Sequence, residues 1–487
     1  MLHWLEAING FVWGIPALVM ILGVGIYLSV YTGFAQFKLF PAALHDFLSR
    51  IRDRKKTSGV SSYRALCTAL AATVGTGNIA GVAGAIAIGG PGAIFWMWIC
   101  ALLGMVIKFA EAILSVAYRQ KDKMGELVGG PMYIIRQALP KGKGLAALYC
   151  FFGVVASFGV GNGTQINAVI GGFHSVAEYL NISAGVGTDI TIGIMLAALI
   201  LIMMLGGAKR IGAAAERLVP FAAIGYVLMC MVVIVGRGQN IPYAFNAILK
   251  GAFCPSAVTG GVVGSVFVAL RVGTSRGVFT NEAGLGTAGI AHAAADVQHP
   301  VEQGLMGIME VFLDTIVICT MTALVILCSG VPIPYGTDLG ITLTTQAFST
   351  VFGPWVSIPI TVALCCFAIA TIFGWGLYGI RCAQFLFGEN AWKSFVYLQA
   401  GIAIVSAVMR TETVWMLAET VNGLMAIPNL IVLAYLAPYQ KKLVLQYVSF
   451  KKAVPQRISI KSIDNRALQT YNTDRILKER SELHNDP

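Results

Sequence analysis

Charged side chains are scarce. Asp, Glu, Lys and Arg make up 12% of the 487 residues, against about 25% in an ordinary soluble domain. That shortage excludes a normal water-facing surface, and the 57% hydrophobic content and mean hydropathy of +0.75 point to lipid as the solvent. Histidine is limited to His3, His45, His174, His292, His299 and His484, scattered along the chain. They join no acid, base or metal-ligating cluster, which argues against a membrane-embedded enzyme. The ten cysteines lie mostly inside apolar runs, among them Cys67, Cys100, Cys319, Cys328 and the adjacent Cys365 and Cys366, with neither metal-ligand nor disulfide spacing. We read them as small core residues. Strands of about ten residues with alternating polarity are missing, so a membrane β-barrel is excluded. Repeated pore-lining motifs are missing as well, which argues against a channel.

What the chain has is a series of apolar runs, several near the ~20 residues that cross a ~30 Å hydrocarbon core as helix. Bounded by Gly, Pro and charge, about eleven spans are expected: 11–32, 66–87, 93–117, 146–176, 189–206, 216–236, 260–282, 304–329, 355–378, 395–409 and 414–437. The fold class is an all-α polytopic membrane protein. The first run is preceded only by Glu6, with no basic residue and no small-residue cleavage pattern, and reads as a true span rather than a signal peptide.

Basic residues give the orientation, because short Lys- and Arg-rich loops stay cytoplasmic. Of the 34 Lys and Arg, all but Lys108, Arg237, Lys250, Arg271, Arg276 and Arg410 fall on one side under this span assignment. They concentrate in the segments 38–64 and 119–143 and after Pro438. The expected topology has the amino terminus outside, the carboxyl terminus inside and a cytoplasmic basic tail over 439–487. The net charge of +11 is therefore a topology signal and not a sign of nucleic-acid binding. Only the 283–303 loop breaks the pattern: it should be cytoplasmic yet holds no Lys or Arg, and its Ala-rich sequence suggests a short amphipathic helix. The 454–487 tail, polar and mixed in charge, reads equally as disordered or as a surface helix.

Within the second span, Ala71-Ala-Thr-Val-Gly-Thr-Gly-Asn78-Ile-Ala-Gly81 puts Thr73, Gly75, Thr76, Gly77 and Asn78 at mid-membrane depth, a poor helix interior. Unwinding there frees main-chain groups that the bilayer tolerates only where protein or ligand satisfies them. A half-helix amino terminus suits a carboxylate, and the carbonyls ending the other half suit a cation. Close helix packing through Gly77 and Gly81 explains the same residues equally well on its own. A second interrupted segment runs from Gly260-Gly-Val-Val-Gly-Ser265 through Val272-Gly-Thr-Ser-Arg-Gly277 to Asn281-Glu-Ala-Gly-Leu-Gly286. Paired breaks point to an inverted-repeat transporter. The repeats would be 66–236 and 260–437 within a membrane domain over 1–438, the first span being an addition.

Four blocks carry a family resemblance: Gly89-Gly-Pro-Gly-Ala-Ile-Phe-Trp-Met-Trp98 with Leu102-Leu-Gly104, Gly129-Gly-Pro-Met-Tyr133, Arg276-Gly-Val-Phe-Thr-Asn-Glu-Ala-Gly-Leu-Gly286 with Ala291-His292-Ala293, and Asn422-Gly-Leu-Met-Ala-Ile-Pro-Asn429. In this order they resemble the alanine or glycine:cation symporter family, over roughly residues 9–438. The resemblance implies a leucine-transporter-type fold of five plus five inverted spans. It implies import of alanine, glycine or a similar small neutral amino acid with sodium, by alternating access across a bacterial or archaeal plasma membrane. No cofactor besides the co-transported sodium is expected, and a monomer is expected to suffice.

Carried over by resemblance, Thr73, Gly75, Thr76, Gly77 and Asn78 bind substrate, Gln165 contacts it from the wall, and Thr371 and Trp375 supply a hydroxyl ligand and an aromatic lid. The carbonyls of Ala71 and Val74 with the Thr371 hydroxyl form part of a sodium shell. Two positions depart from the family pattern: Ala370 stands where a serine is expected, and Ile380 where a glutamate commonly follows the Tyr-Gly pair. The first removes one cation ligand. Without the family, Trp375 reads as packing, and Gln165 and Thr371 as bonds to a neighbouring helix worth ~0.6 kcal/mol. Proton coupling or a larger substrate such as serine or glutamine is the rival within transport. Proton coupling needs a titratable group at the break, and Asp, Glu and His are absent from 73–90.

Among ionisable residues at depth, Lys108 and Glu111 stand three apart and are expected to pair on one helix face. Glu282, Glu310, Asp314 and Glu419 have no partner that the sequence identifies. Arg271 and Arg276 flank the second break and are read as partners for these acids or as a gate to the inner vestibule.

Overall fold

The computed structural model describes residues 2–52, 60–123, 125–337 and 340–453. Helix dominates, as it must where no water is available to satisfy main-chain groups. Among the described residues, eight helical stretches are long and apolar enough to cross a membrane: Glu6–Tyr31, Gly92–Ala117, Gly142–Tyr179, Val186–Met204, Gly207–Gly236, Pro300–Ser329, Pro354–Phe387 and Thr413–Tyr435. The other segments expected to span are shorter pieces. They are the halves Ser62–Thr73 and Ala80–Gly89, the halves Val266–Asn281 and Thr287–His292, and the helix Ala391–Ser406.

Glycine sets how closely these helices pack, because a missing Cβ lets two backbones touch. A Cβ on Gly92 would run into the main chain of Gly251, and one on Gly273 would strike the Ala93 carbonyl and lie 2.7 Å from the Trp96 Cβ. Gly277 likewise faces Cys100 at 3.3 Å. The glycines at 273 and 277 thus serve packing inside an unbroken helix, and the expected interruption of the second segment narrows to residues 282–286.

The ends near the basic loops carry the remaining structure. A two-stranded antiparallel hairpin, Gln120–Lys121 with Leu127–Val128, follows helix Gly92–Ala117. Helix Ala437–Ala453 follows the last long helix; its Tyr439 meets Tyr118 edge-on at 5.9 Å, and its Lys441 lies 5.0 Å from the Tyr31 ring. Part of the expected basic tail is therefore an ordered helix; 454–487 lies outside the described residues, as do Arg54, Lys55 and Lys56. The 283–303 loop is a correction. Its helix, Thr287–His292, is buried along its whole length as the second half of the broken helix, not amphipathic at a surface. That burial accounts for its lack of Lys and Arg.

Candidate functional site

The first break lies where the glycines predict it. Helix Ser62–Thr73 ends, Gly75 is extended at φ −138°, Thr76–Asn78 form one tight turn, and helix Ala80–Gly89 begins. The Gly75 N–H, which in a continuous helix would bond the Ala71 carbonyl four residues back, goes instead to Asn78 Oδ1 at 2.9 Å. The Ala71 carbonyl is thereby released from the helical ladder. Thr73 turns its hydroxyl back onto the Ala69 carbonyl at 3.3 Å, along its own helix and away from the gap.

Two other helices close on this gap. Helix Ser357–Phe387 approaches so tightly that a Cβ on its Gly374 would sit 2.8 Å from the Ala72 nitrogen. One turn earlier, a Cβ placed on Gly75 would lie 2.5 Å from Thr371 Oγ1 and 3.4 Å from Gln165 Oε1. Gln165 Oε1 accepts from the Thr76 N–H at 3.4 Å. Gln165 follows a wide π-helical turn at Gly159–Gly163, and Gly161 of that turn packs on the Trp375 side chain. The hydroxyls of Thr76 and Thr371 and the Trp375 indole N–H are buried without a hydrogen-bond partner. The structure thus brings Gly75, Thr76, Asn78, Gln165 and Thr371 together, with Trp375 one turn beyond Thr371 and Gly77 facing Phe279. Ala370, buried beside Thr371, offers no hydroxyl.

Asp314, which the sequence marks as an ionisable residue at depth without identifying a partner, finds that partner at the first break. Fully buried in a second π-helical stretch, Phe312–Cys319, it accepts from Asn78 Nδ2 at 2.6 Å and from the Thr315 hydroxyl at 2.8 Å. A carboxyl group therefore does reach the first break, although residues 73–90 contain none; it arrives from 236 positions along the chain. Asn281, at the end of the opposing half-helix, bonds Thr315 in turn at 3.1 Å.

Around the second break, Glu282 sits in the left-handed region at φ +55°, and Gly284 and Gly286 at +98° and +76°. Those two glycine N–H groups point at Glu111 Oε1, at 2.9 and 3.0 Å, and Asn429 Nδ2 joins them at 2.8 Å. Lys108 pairs with Glu310 at 3.3 Å. The expected Lys108–Glu111 pair is thus corrected: although three apart, each turns to a different neighbouring helix. Arg276 does pair, with Glu419 at 3.2 Å, and its guanidinium lies 4.8 Å from the Trp415 ring. Trp415 stacks on Phe279 at 4.8 Å, and Phe279 covers Gly77. This stack caps the first break on the side away from the basic loops. On the basic-loop side a cavity of about 520 Å³ opens between the halves, lined by Arg64, Thr68, Glu126, Ala291, Leu377 and Arg381. Of the two readings of Arg276, pairing with an acid is the one seen, and the pair lies on the side of the break away from this cavity.

The model of the sodium:alanine symporter family matches residues 1–461. This chain belongs to that family. The family member is 43% identical over 438 residues to "Sodium/alanine symporter AgcS" of Methanococcus maripaludis, covering 89% of this chain and 94% of that one. It is 35% identical over 465 residues to "Probable sodium/glutamine symporter GlnT" of Bacillus subtilis, covering 95% and 94%. Among solved structures it is similar to MhsT in complex with L-phenylalanine, with a TM-score of 0.57 and 14% identity over 80% of this chain and 99% of that one. The fold of the family member is thus of the leucine-transporter type, and it is a transporter rather than an enzyme.

Proposed function

We propose that the protein imports alanine or glycine together with sodium by alternating access. The observation that carries this reading is the first break itself: a released Ala71 carbonyl, unpartnered Thr76 and Thr371 hydroxyls and glycine main chain without a Cβ meet at one buried position. The backbone of Gly77, and of Thr76 once its N–H leaves Gln165 Oε1, would hold the substrate carboxylate, with Gly75 leaving room beside Thr371 and its N–H kept by Asn78, which fixes the turn, Thr73 ending the first half-helix and Gln165 forming the wall. Thr371 and Trp375 would bound the side-chain pocket, and its crowding favours a side chain no larger than methyl. The carbonyls of Ala71 and Val74 and the Thr371 hydroxyl would hold sodium, a hard cation that prefers oxygen. With Ala370 in place of serine, that shell has one ligand fewer. The relatives' names, one sodium/alanine and one sodium/glutamine, support sodium coupling and leave substrate size to the pocket. The two repeats, 66–236 and 260–437, would rock about the site, with the basic loops and the tail on the cytoplasmic side and the amino terminus outside.

A charge crossing 100 mV yields ~2.3 kcal/mol, and a tenfold sodium gradient adds ~1.4 kcal/mol. One-to-one coupling then supports roughly several hundredfold accumulation. Radiolabelled alanine uptake into proteoliposomes is expected to depend on sodium and to collapse when potassium replaces it; equal uptake in potassium would disprove the coupling. Unlabelled glycine is expected to compete and glutamine to compete poorly, and strong glutamine competition would reverse the substrate assignment.

The Arg276–Glu419 pair and the Trp415–Phe279 stack would form the outer closure. Because removing one member of a half-buried pair leaves the other charge without its partner, Arg276→Ala is expected to slow uptake by roughly tenfold, about 1.4 kcal/mol. Unchanged uptake and unchanged stability in that variant would remove the role.

A further inference from the structure

Five ionisable side chains, Lys108, Glu111, Glu282, His292 and Glu310, crowd around the second break, none more than 1% exposed. Their hydrogen bonds divide them. Glu310 takes both Lys108 and His292 Nε2, the latter at 2.8 Å. His292 Nδ1 faces the Gln303 amide at 2.6 Å, and Gln303 in turn accepts from the Ser62 hydroxyl. Glu111 is held by two main-chain N–H groups and Asn429. Glu282 receives only the Thr287 hydroxyl, on Oε2, and its Oε1 has no partner. Three carboxylates outnumber the one lysine ammonium, and an excess of negative charge out of reach of water is a state that membrane interiors do not sustain.

We propose that Glu282 is a proton-binding site, filled in the conformation seen here and emptied when the second break rearranges during transport. The site is distinct from the amino-acid and sodium ligands proposed above, bordering them through Trp375, and deepens that reading, on which it rests. The proton comes from solvent water in the basic-side vestibule, forms the O–H bond at Oε1 and returns to water, so no other reactant is needed. Tyr378, next in sequence to the vestibule residue Leu377, is buried beside this cluster with its hydroxyl unpartnered. The Trp375 indole N–H also lies near Glu282. The facing titratable and charged groups are Lys108 and Glu111 on helix Gly92–Ala117, and Glu310 and Asp314 on the stretch Pro300–Ser329. His292 faces it from the second half-helix, and Tyr149 and Tyr378 from the helices Gly142–Phe158 and Ser357–Phe387. Helix Thr411–Tyr435 brings Asn429 to the cluster and Glu419 to Arg276, nearly two turns before the bend.

The full chain in proteoliposomes, with its glutamate carboxyls carbon-13 labelled, provides the test. Infrared difference spectra between low and high pH are expected to show a protonated-carboxyl C=O band that moves with the label. It should vanish in Glu282→Gln and persist in Glu111→Gln. Alanine uptake, normalised to its maximum, is expected to change roughly tenfold from about pH 6 to about pH 9 if the two conformations differ by one unit of proton affinity. In Glu282→Gln the profile should be flat. A labelled band that survives in Glu282→Gln, no labelled band at all, or matching pH profiles would overturn the proposal. If Glu282→Gln fails to assemble, Glu282→Asp serves instead: the labelled band should disappear and an unlabelled one replace it. Failure of the symport reading shows separately, as wild-type uptake indifferent to sodium, and leaves the spectra to judge the proton site.

Discussion

Gly75→Ala is expected to lower alanine uptake by about a hundredfold while the protein remains folded and inserted, a loss near the top of the 1–3 kcal/mol that overpacking costs. At φ −138° the Gly75 backbone is accessible to any residue, so the effect is purely steric. The added methyl would stand 2.5 Å from Thr371 Oγ1, inside the space shared by the proposed cation and substrate ligands. Gly77→Ala is a useful contrast, because its methyl meets the Thr280 methyl at 3.0 Å and the movable Phe279 ring at 3.2 Å. Uptake with matched protein, together with melting temperature in detergent, separates the two. Gly75→Ala with near-normal uptake would mean that the ligands do not meet there.

The second large effect is expected at Asp314. Asp314→Ala removes the short side-chain acceptor of Asn78 Nδ2, leaving it the main-chain carbonyl of residue 314 at 3.2 Å, and strands the Thr315 hydroxyl in a fully buried setting; a stranded buried donor costs about 1–3 kcal/mol. Asn78 would no longer be aimed at the Gly75 N–H, so the turn that releases the Ala71 carbonyl would lose its strut. Uptake is expected to fall by roughly a hundredfold. Asp314→Asn keeps an amide oxygen facing Asn78 and is expected to recover uptake to within about tenfold of wild type. A dead Asp314→Asn variant beside a well-folded protein would show that the negative charge itself is used, which positional support does not require.

Both predictions concern residues of unequal visibility in the sequence. Gly75 and Asn78 announce themselves, because glycine-rich sequence at mid-membrane depth is a local conflict with helix formation that can be read without knowing any neighbour. The long spans are legible for the same reason, each being a continuous apolar run of membrane length. Asp314 signals only that it is ionisable at depth; its role comes from what lies across the packing interface, here Asn78. The Lys108 and Glu111 spacing misleads in the opposite direction. Helical neighbours three apart suggest a pair, yet in a bundle each side chain can be claimed by a different helix, Lys108 by Glu310 and Glu111 by the glycine N–H groups of the second break. The glycines at 273 and 277 show the remaining ambiguity, since the same residue type marks both a break and a close crossing.

The π-helical turn at Gly159–Gly163 has one more consequence, which concerns residue number and not residue identity. A wide turn holds one residue beyond ordinary winding, so every position after it is rotated about the helix axis relative to those before it. Rewinding the turn as regular helix with the same number of residues would swing Gln165 by roughly 100°, off Thr76 and out of the first break, whereas deleting one residue there as the turn closes up leaves Gln165 where it is. Relatives that carry one residue fewer and wind this stretch regularly can therefore present the same side chain to the gap, while relatives of equal length without the wide turn must present a different one.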